Sequence, residues 1–126
     1  LIPFIEQEVF IIDDDKVICK VHQYLIAHVL KTVTSIFVDA AEALDVIQKN
    51  SFSKGYLIYL DINMPELNGW EFIKQLERLK NPERFVIILV TSSVDVADKW
   101  KASQFECVKG YVEKPLTKAK LINLKW

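Results

Sequence analysis

The sequence predicts an α/β domain: five strands of the kind buried in a parallel sheet, alternating with five helices, a pattern that the doubly wound order 2-1-3-4-5 accommodates. Three observations predict it. Near-continuous apolar runs of strand length recur at residues 9–12, 36–38, 56–60, 85–90 and, more weakly, 111–112. Unbroken apolar character rather than strict alternation marks strands buried on both faces of a parallel sheet. Between these runs, apolar residues are spaced at steps of three and four, the period of a helix packed by one face. The three glycines, Gly55, Gly69 and Gly110, fall where the runs predict boundaries, before the third strand, after a polar loop and before the fifth strand.

Each element follows in order. After the first strand, Asp15 caps a helix whose inward stripe is Ile18, Val21, Leu25 and Val29. The second strand leads to a helix over residues 41–49. A third helix begins after Gly69, carries Phe72, Ile73, Leu76 and Leu79 on one stripe, and stops before Asn81-Pro82, where proline ends it. Residues 95–102 and 117–124 supply the last two helices. Residues 1–7 are expected to form a loose lead-in and 8–126 one domain, without repeat, low-complexity tract or linker.

Composition narrows the function. The 126 residues are 51% hydrophobic and 26% charged, enough for one well-packed core and too few for two ordinary domains. A net charge of −1 gives no basic footprint for a nucleic-acid backbone, so direct nucleic-acid binding is not expected. The longest apolar runs fall far short of the roughly 20 residues that span a bilayer. A soluble, cytoplasmic domain with no membrane partner is expected. Cys19 and Cys107 show no CxxC spacing and read as reduced thiols, leaving oxygen ligands for any metal. The start on Leu1 rather than Met suggests either a domain excised from a longer chain or a sequence whose first residues are not given.

Ligands of open parallel sheets bind at the carboxyl ends of the strands, so the residues just after each run are the candidates. Asp13 and Asp14 follow the first strand, Asp61 the third, Thr91 the fourth and Lys114 the fifth. In the order 2-1-3-4-5 these converge. Three carboxylates suit a hard cation that keeps several waters, Mg²⁺ before Zn²⁺. They also need a neighbouring cation to stay ionised, and Lys114 supplies an ammonium. An ionised Asp beside a metal is a competent nucleophile toward phosphorus, and the constellation reads as aspartyl phosphorylation. Taken singly, each residue has a plainer role. An acid after a strand is commonly a cap, Lys114 alone a solvated charge, and Thr91 with Ser92 and Ser93 the cap of the next helix. Compatible chemistry at four strand ends is hard to obtain from four unrelated accidents.

These residues resemble the receiver domain of two-component response regulators across essentially the whole chain. The resemblance rests on Val-Phe-Ile-Ile-Asp-Asp-Asp at 9–15, Leu-Asp-Ile-Asn-Met-Pro-Glu-Leu-Asn-Gly at 60–69, Val-Thr-Ser at 90–92 and Gly-Tyr-Val-Glu-Lys-Pro at 110–115. It implies a flavodoxin-like fold and a phosphoryl group accepted on Asp61 from a histidine kinase or phosphotransfer protein. It further implies Mg²⁺ held by Asp13, Asp14, Asp61 and the backbone carbonyl of Asn63. Thr91 and Lys114 would contact the phosphoryl group, Thr91 and Tyr111 would form the switch, and Lys114-Pro115 would be cis. Asn63 and Ser93 lie where the family tunes the lifetime of that group. Output would run through the fourth helix, fifth strand and fifth helix, residues 95–126, to a downstream protein, to an effector domain outside this sequence, or through a phosphorylation-dependent dimer. Trp100 there reads either as a partner anchor or as a packed helix residue. Lys118, Lys120 and Lys125 read as a solvated face more readily than as an acidic-partner site, and His22 and His28 as ordinary helix residues.

Two other functions use the same fold features. A Mg²⁺-dependent phosphatase with an aspartyl intermediate, of the haloacid dehalogenase type, carries Asp-x-Asp at the nucleophile. Asp61 is followed by Ile62 and Asn63, so that general acid is absent. A flavin-binding electron carrier needs a phosphate cradle rich in Gly, Ser and Thr after the first strand, where this chain is acidic.

Overall fold

The computed structural model describes residues 6–50, 53–65 and 67–124. Residues 1–5 of the predicted lead-in, and Lys125 and Trp126 of the predicted output segment, lie outside the described residues. The elements run β1 Glu6–Ile12, α1 Lys16–Leu30, β2 Ser35–Phe37, α2 Ala40–Lys49, β3 Lys54–Leu60, α3 Gly69–Glu77, β4 Phe85–Thr91, α4 Val96–Ser103, β5 Val108–Glu113 and α5 Lys118–Asn123. All four strand pairings are parallel and the order is β2-β1-β3-β4-β5, the doubly wound, flavodoxin-like arrangement that the resemblance implies. No helix among the described residues is long and apolar enough to cross a membrane.

The sheet is covered on both faces, which explains why its central strands are apolar without alternation. Along β1, Phe10 and Ile12 join the core beneath α2 and α3, with Leu44, Ile47, Phe72 and Ile73. Val9 and Ile11 point the other way, toward Cys19 and Ile26 of α1 and Leu121 of α5. The seven residues of β4 are all buried.

Several boundaries differ from the sequence reading. Glu6 and Gln7 pair with Lys54 and Gly55, so they extend β1 rather than lead into it. The buried face of α1 is Cys19, His22 and Ile26; it is rotated from the predicted stripe, and Val21 is half exposed at 50%. A small thiol and an imidazole pack against the sheet where periodicity alone favoured valine. Burial pulls the His22 imidazole below its ordinary value. Helix α3 ends at Glu77, and Leu79 packs on the core from beyond it. A short 3₁₀ turn, Pro82–Arg84, precedes β4. Arg84 is buried there, its guanidinium 4.5 Å from the Phe85 ring centroid and its Nε donating to the Lys80 carbonyl. Both thiols are free and buried.

Two glycines lie inside strands rather than at their edges. Gly55 is in β3 and Gly110 in β5. Between the pairs Ile87–Val108 and Ile88–Gly110 the β4–β5 register slips by one residue, a bulge of the kind that glycine commonly marks. Gly69 opens α3 against the chain that carries Asp61: its N–H donates to the Ile62 carbonyl at 3.1 Å. A Cβ there would lie 2.7 Å from the Ile62 Cα, inside van der Waals contact with backbone.

Intrinsic helix propensity alone would make Gly69→Ala stabilising by up to about 1 kcal/mol, but the Ile62 backbone cannot retreat cheaply. Gly69→Ala is expected to lower stability by about 1–3 kcal/mol, read as a lower urea midpoint with an unchanged slope.

Candidate functional site

The carboxyl ends of β1, β3, β4 and β5 meet, and five of the residues singled out from the sequence stand there together. Asp13 follows β1 directly. It is 3% exposed, its N–H donates to the Phe37 carbonyl of β2, and its Oδ1 accepts the Asp15 N–H at 2.9 Å. Asp14 is exposed. Asp15 is a helix cap, its carboxylate accepting the N–H groups of Val17 and Ile18. Asp61 follows β3 and is 6% exposed; its N–H donates to the Ile12 carbonyl at 2.9 Å and its Oδ1 accepts the Asn63 N–H at 3.3 Å. One carboxylate oxygen from each of Asp13, Asp14 and Asp61 falls within 4.8 Å of the others.

Lys114, just after β5, closes the cluster. Its Nζ donates to Asp13 Oδ2 at 2.7 Å and stands 3.5 Å from Asp61 Oδ2. The nearer partner is thus Asp13, not the carboxylate after β3. The Lys114 N–H donates to the Thr91 carbonyl, and the Lys114–Pro115 bond is cis. Burial by itself lowers the Lys114 ammonium, but its hydrogen bond to Asp13 and the charge of Asp61 outweigh burial and the net shift is upward. Asp61 shows the opposite contest. Burial and the Asp13 charge raise its carboxyl, Lys114 and the Asn63 N–H lower it, and the balance is upward.

Thr91, at the end of β4, is fully buried and its Oγ1 accepts the Ser93 N–H at 3.2 Å. Neither Ser92 nor Ser93 caps α4; Asp95 does, accepting from the Ala97 N–H. Tyr111 is half-buried on β5 and its hydroxyl donates to the Ser93 carbonyl at 3.2 Å. Sequence reasoning missed this role of Ser93, because an acceptor on the backbone leaves no mark in residue type. Trp100 on α4 is 66% exposed, with Val94 and Val96 exposed beside it, so it is not a packed helix residue. Lys120 is engaged, donating to the carbonyls of Glu113 and Pro115, while Lys118 is exposed. His28 is exposed.

The three grouped acids offer a metal hard carboxylate oxygens, and one of them, Asp14, is open to water. This donor set fits Mg²⁺, which accepts a few carboxylates and retains waters, better than a soft or tetrahedral metal.

Fold and pocket define a doubly wound α/β domain with a carboxylate cluster at its strand ends. The family model of the response regulator receiver domain matches residues 9–124, and the chain belongs to that family, whose members serve two-component signalling. A two-component response regulator of Arabidopsis thaliana is 32% identical over 118 residues, covering 92% of this chain and 79% of the relative. A chemotaxis protein CheY homolog of Campylobacter jejuni is 37% identical over 76 residues, 60% of this chain and 56% of the relative. A probable transcriptional regulator of Porphyra purpurea is 27% identical, and the match spans about half of it, 52%. Among solved structures, a two component response regulator from Cytophaga hutchinsonii superposes with a TM-score of 0.80 at 29% identity, covering 94% of this chain and 93% of that one.

The upward shift of Asp61 carries a sign. A carboxyl raised in the folded state costs stability at neutral pH, and the cost disappears as pH falls through its raised value. In buffer free of divalent cations, Asp61→Asn is expected to raise stability by about 1 kcal/mol at pH 7, read as a higher thermal midpoint. The gain should vanish in acid, once the wild-type carboxyl is protonated.

Proposed function

We propose that this receiver domain is a phosphorylation-controlled switch in which Asp61 accepts a phosphoryl group from a histidine kinase or phosphotransfer protein. The observation that carries the reading is the placement of Asp61, nearly buried, with two further carboxylates within 4.8 Å and the Lys114 ammonium 3.5 Å away. A carboxylate oxygen of Asp61 forms the new P–O bond while the P–N bond to the donor imidazole breaks, its electron pair staying on the ring nitrogen. Asp13, Asp14, Asp61 and the carbonyl of Asn63 would hold Mg²⁺, which when bound offsets the charge of the phosphoryl oxygens.

The chain's own residues do the rest. Lys114 sits between Asp13 and Asp61 and is placed to turn its ammonium to a phosphoryl oxygen without leaving Asp13. The Thr91 hydroxyl has a proton to donate while its lone pair keeps the Ser93 N–H. Tyr111, bonded to the Ser93 carbonyl, shares that loop and is the second switch residue. Output runs through α4, β5 and α5, where exposed Val96 and Trp100 offer an apolar surface to a downstream protein, an effector domain or, after phosphorylation, a second copy. The domain acts in the cytoplasm, as a signalling receiver that catalyses only its own phosphotransfer and dephosphorylation.

The test is intact mass after mixing the chain with Mg²⁺ and a small phosphodonor. Wild type should gain one phosphoryl group and Asp61→Asn none. Lys114→Ala should gain it about 100-fold more slowly, the typical effect of removing one charge-stabilising donor. A wild type that gains nothing, or an Asp61→Asn chain that gains as readily, removes the reading.

A further inference from the structure

Helix α4 is attached to the domain in an unusual way. Helices in proteins are held chiefly by an apolar face, yet Ala102 is the one fully buried residue of α4. The other inward position, one turn earlier, is the half-buried carboxylate Asp98. Its Oδ2 accepts the Ser93 hydroxyl at 2.7 Å, a short, charge-assisted bond. Ser93 is in turn bonded through every polar group it has. Its N–H donates to Thr91 Oγ1, its Oγ accepts the Asp95 N–H, and its carbonyl accepts the Tyr111 hydroxyl, each at 3.2 Å. One serine therefore joins the end of β4, the first turn of α4 and β5.

We propose that Asp98 is a positioning residue which, through the Ser93 hydroxyl, ties α4 to Thr91 and so transmits the state of Asp61 to that helix. The trigger rests on the phosphorylation reading above; the tie itself does not. A hydroxyl that turns its proton toward a phosphoryl oxygen still accepts the Ser93 N–H. Any displacement of Thr91 is then passed to Ser93, and the Ser93 Oγ is fastened to α4. With so little apolar burial beneath it, α4 belongs to the low-stability elements that a few hydrogen bonds govern. Coupling of this kind is reciprocal, so loosening Asp98 must alter the response of the helix to the site.

Asp98 also stands in the first turn of α4, where its charge favours the helix N-terminus. Asp98→Asn separates the two roles, since the amide oxygen still accepts the serine hydroxyl while the charge is gone. The experiment measures amide hydrogen exchange over α4, with intact mass on the same samples, for the full chain with and without Mg²⁺ and acetyl phosphate. In the unmodified protein, Ser93→Ala and Asp98→Ala should speed α4 exchange about tenfold, the loss of one charged hydrogen bond, with β3 and β4 unaffected. Asp98→Asn, which keeps a neutral hydrogen bond, should stay within about threefold of wild type if the accepting oxygen is what matters. On phosphorylation, wild-type α4 should change its exchange rate at least about threefold, while Asp98→Ala, though it gains the phosphoryl mass, should show no further change.

Wild-type exchange in Asp98→Ala, or equally fast exchange in Asp98→Asn and Asp98→Ala, overturns the tie. An α4 that responds fully to phosphorylation without Asp98 overturns the coupling alone. A wild type that gains no mass overturns the phosphorylation reading, and the coupling with it.

Discussion

Two carboxylates are buried side by side at the centre of this protein, and the ammonium of Lys114 is what permits it. Asp13 and Asp61 end neighbouring strands whose registers place Ile12 opposite Leu60, so the sheet itself forces them together. Without compensation, one of them would be driven to its neutral form. Lys114 is 101 positions from Asp13 along the chain, yet its Nζ lies 2.7 Å from that carboxylate. The cation is brought there only because β4 and β5 complete the sheet beside β3. Burial, with the Asp13 charge beside it, leaves the Asp61 carboxyl raised although Lys114 opposes the shift, an arrangement that costs stability.

The strands and the pocket were legible in the sequence for a common reason. A strand buried on both faces must be apolar throughout, so its end is announced by the first polar residue, and in this fold the residues at or just past the strand ends are the ones that meet in the pocket. Asp13, Asp61, Thr91 and Lys114 were found by that rule alone. The rule says nothing about residues whose burial depends on partners far away in the chain. Arg84 is buried because Phe85 and the Lys80 carbonyl receive it. His22 is buried because α1 is turned a little from its most apolar face. Gly110 reads as a boundary but lies within β5 just after the bulged Lys109, paired with Ile88, where a side chain would press on Ile88 and Leu124.

Polar bonds inside the loop after β4 were hidden for a further reason. The local sequence Thr-Ser-Ser-Val-Asp reads equally well as a capping segment, and the bonds that matter run to a backbone carbonyl, a backbone N–H and a carboxylate on the next helix. Residue types alone cannot rank these against ordinary caps. Geometry ranks them, because Asp95 already does the capping and leaves Ser93 free to bridge.

The two sides of the pocket thus differ in kind. On the β1 and β3 side, Asp13 and Asp61 grow from strands packed between α1, α2 and α3, and a shift of either carboxylate would have to move a close-packed core. On the β4 side, Thr91 is equally buried, but the chain beyond it passes into a helix with a single buried residue. A change in charge at the pocket meets a stiff wall in one direction and a compliant one in the other. Under the proposed switch, displacement would follow compliance along Thr91 and Ser93 to α4, where Val96 and Trp100 are exposed. A tightly packed α4 would resist such a displacement; under the proposed switch, the weakness of its attachment would let a local event at Asp61 be read on the surface.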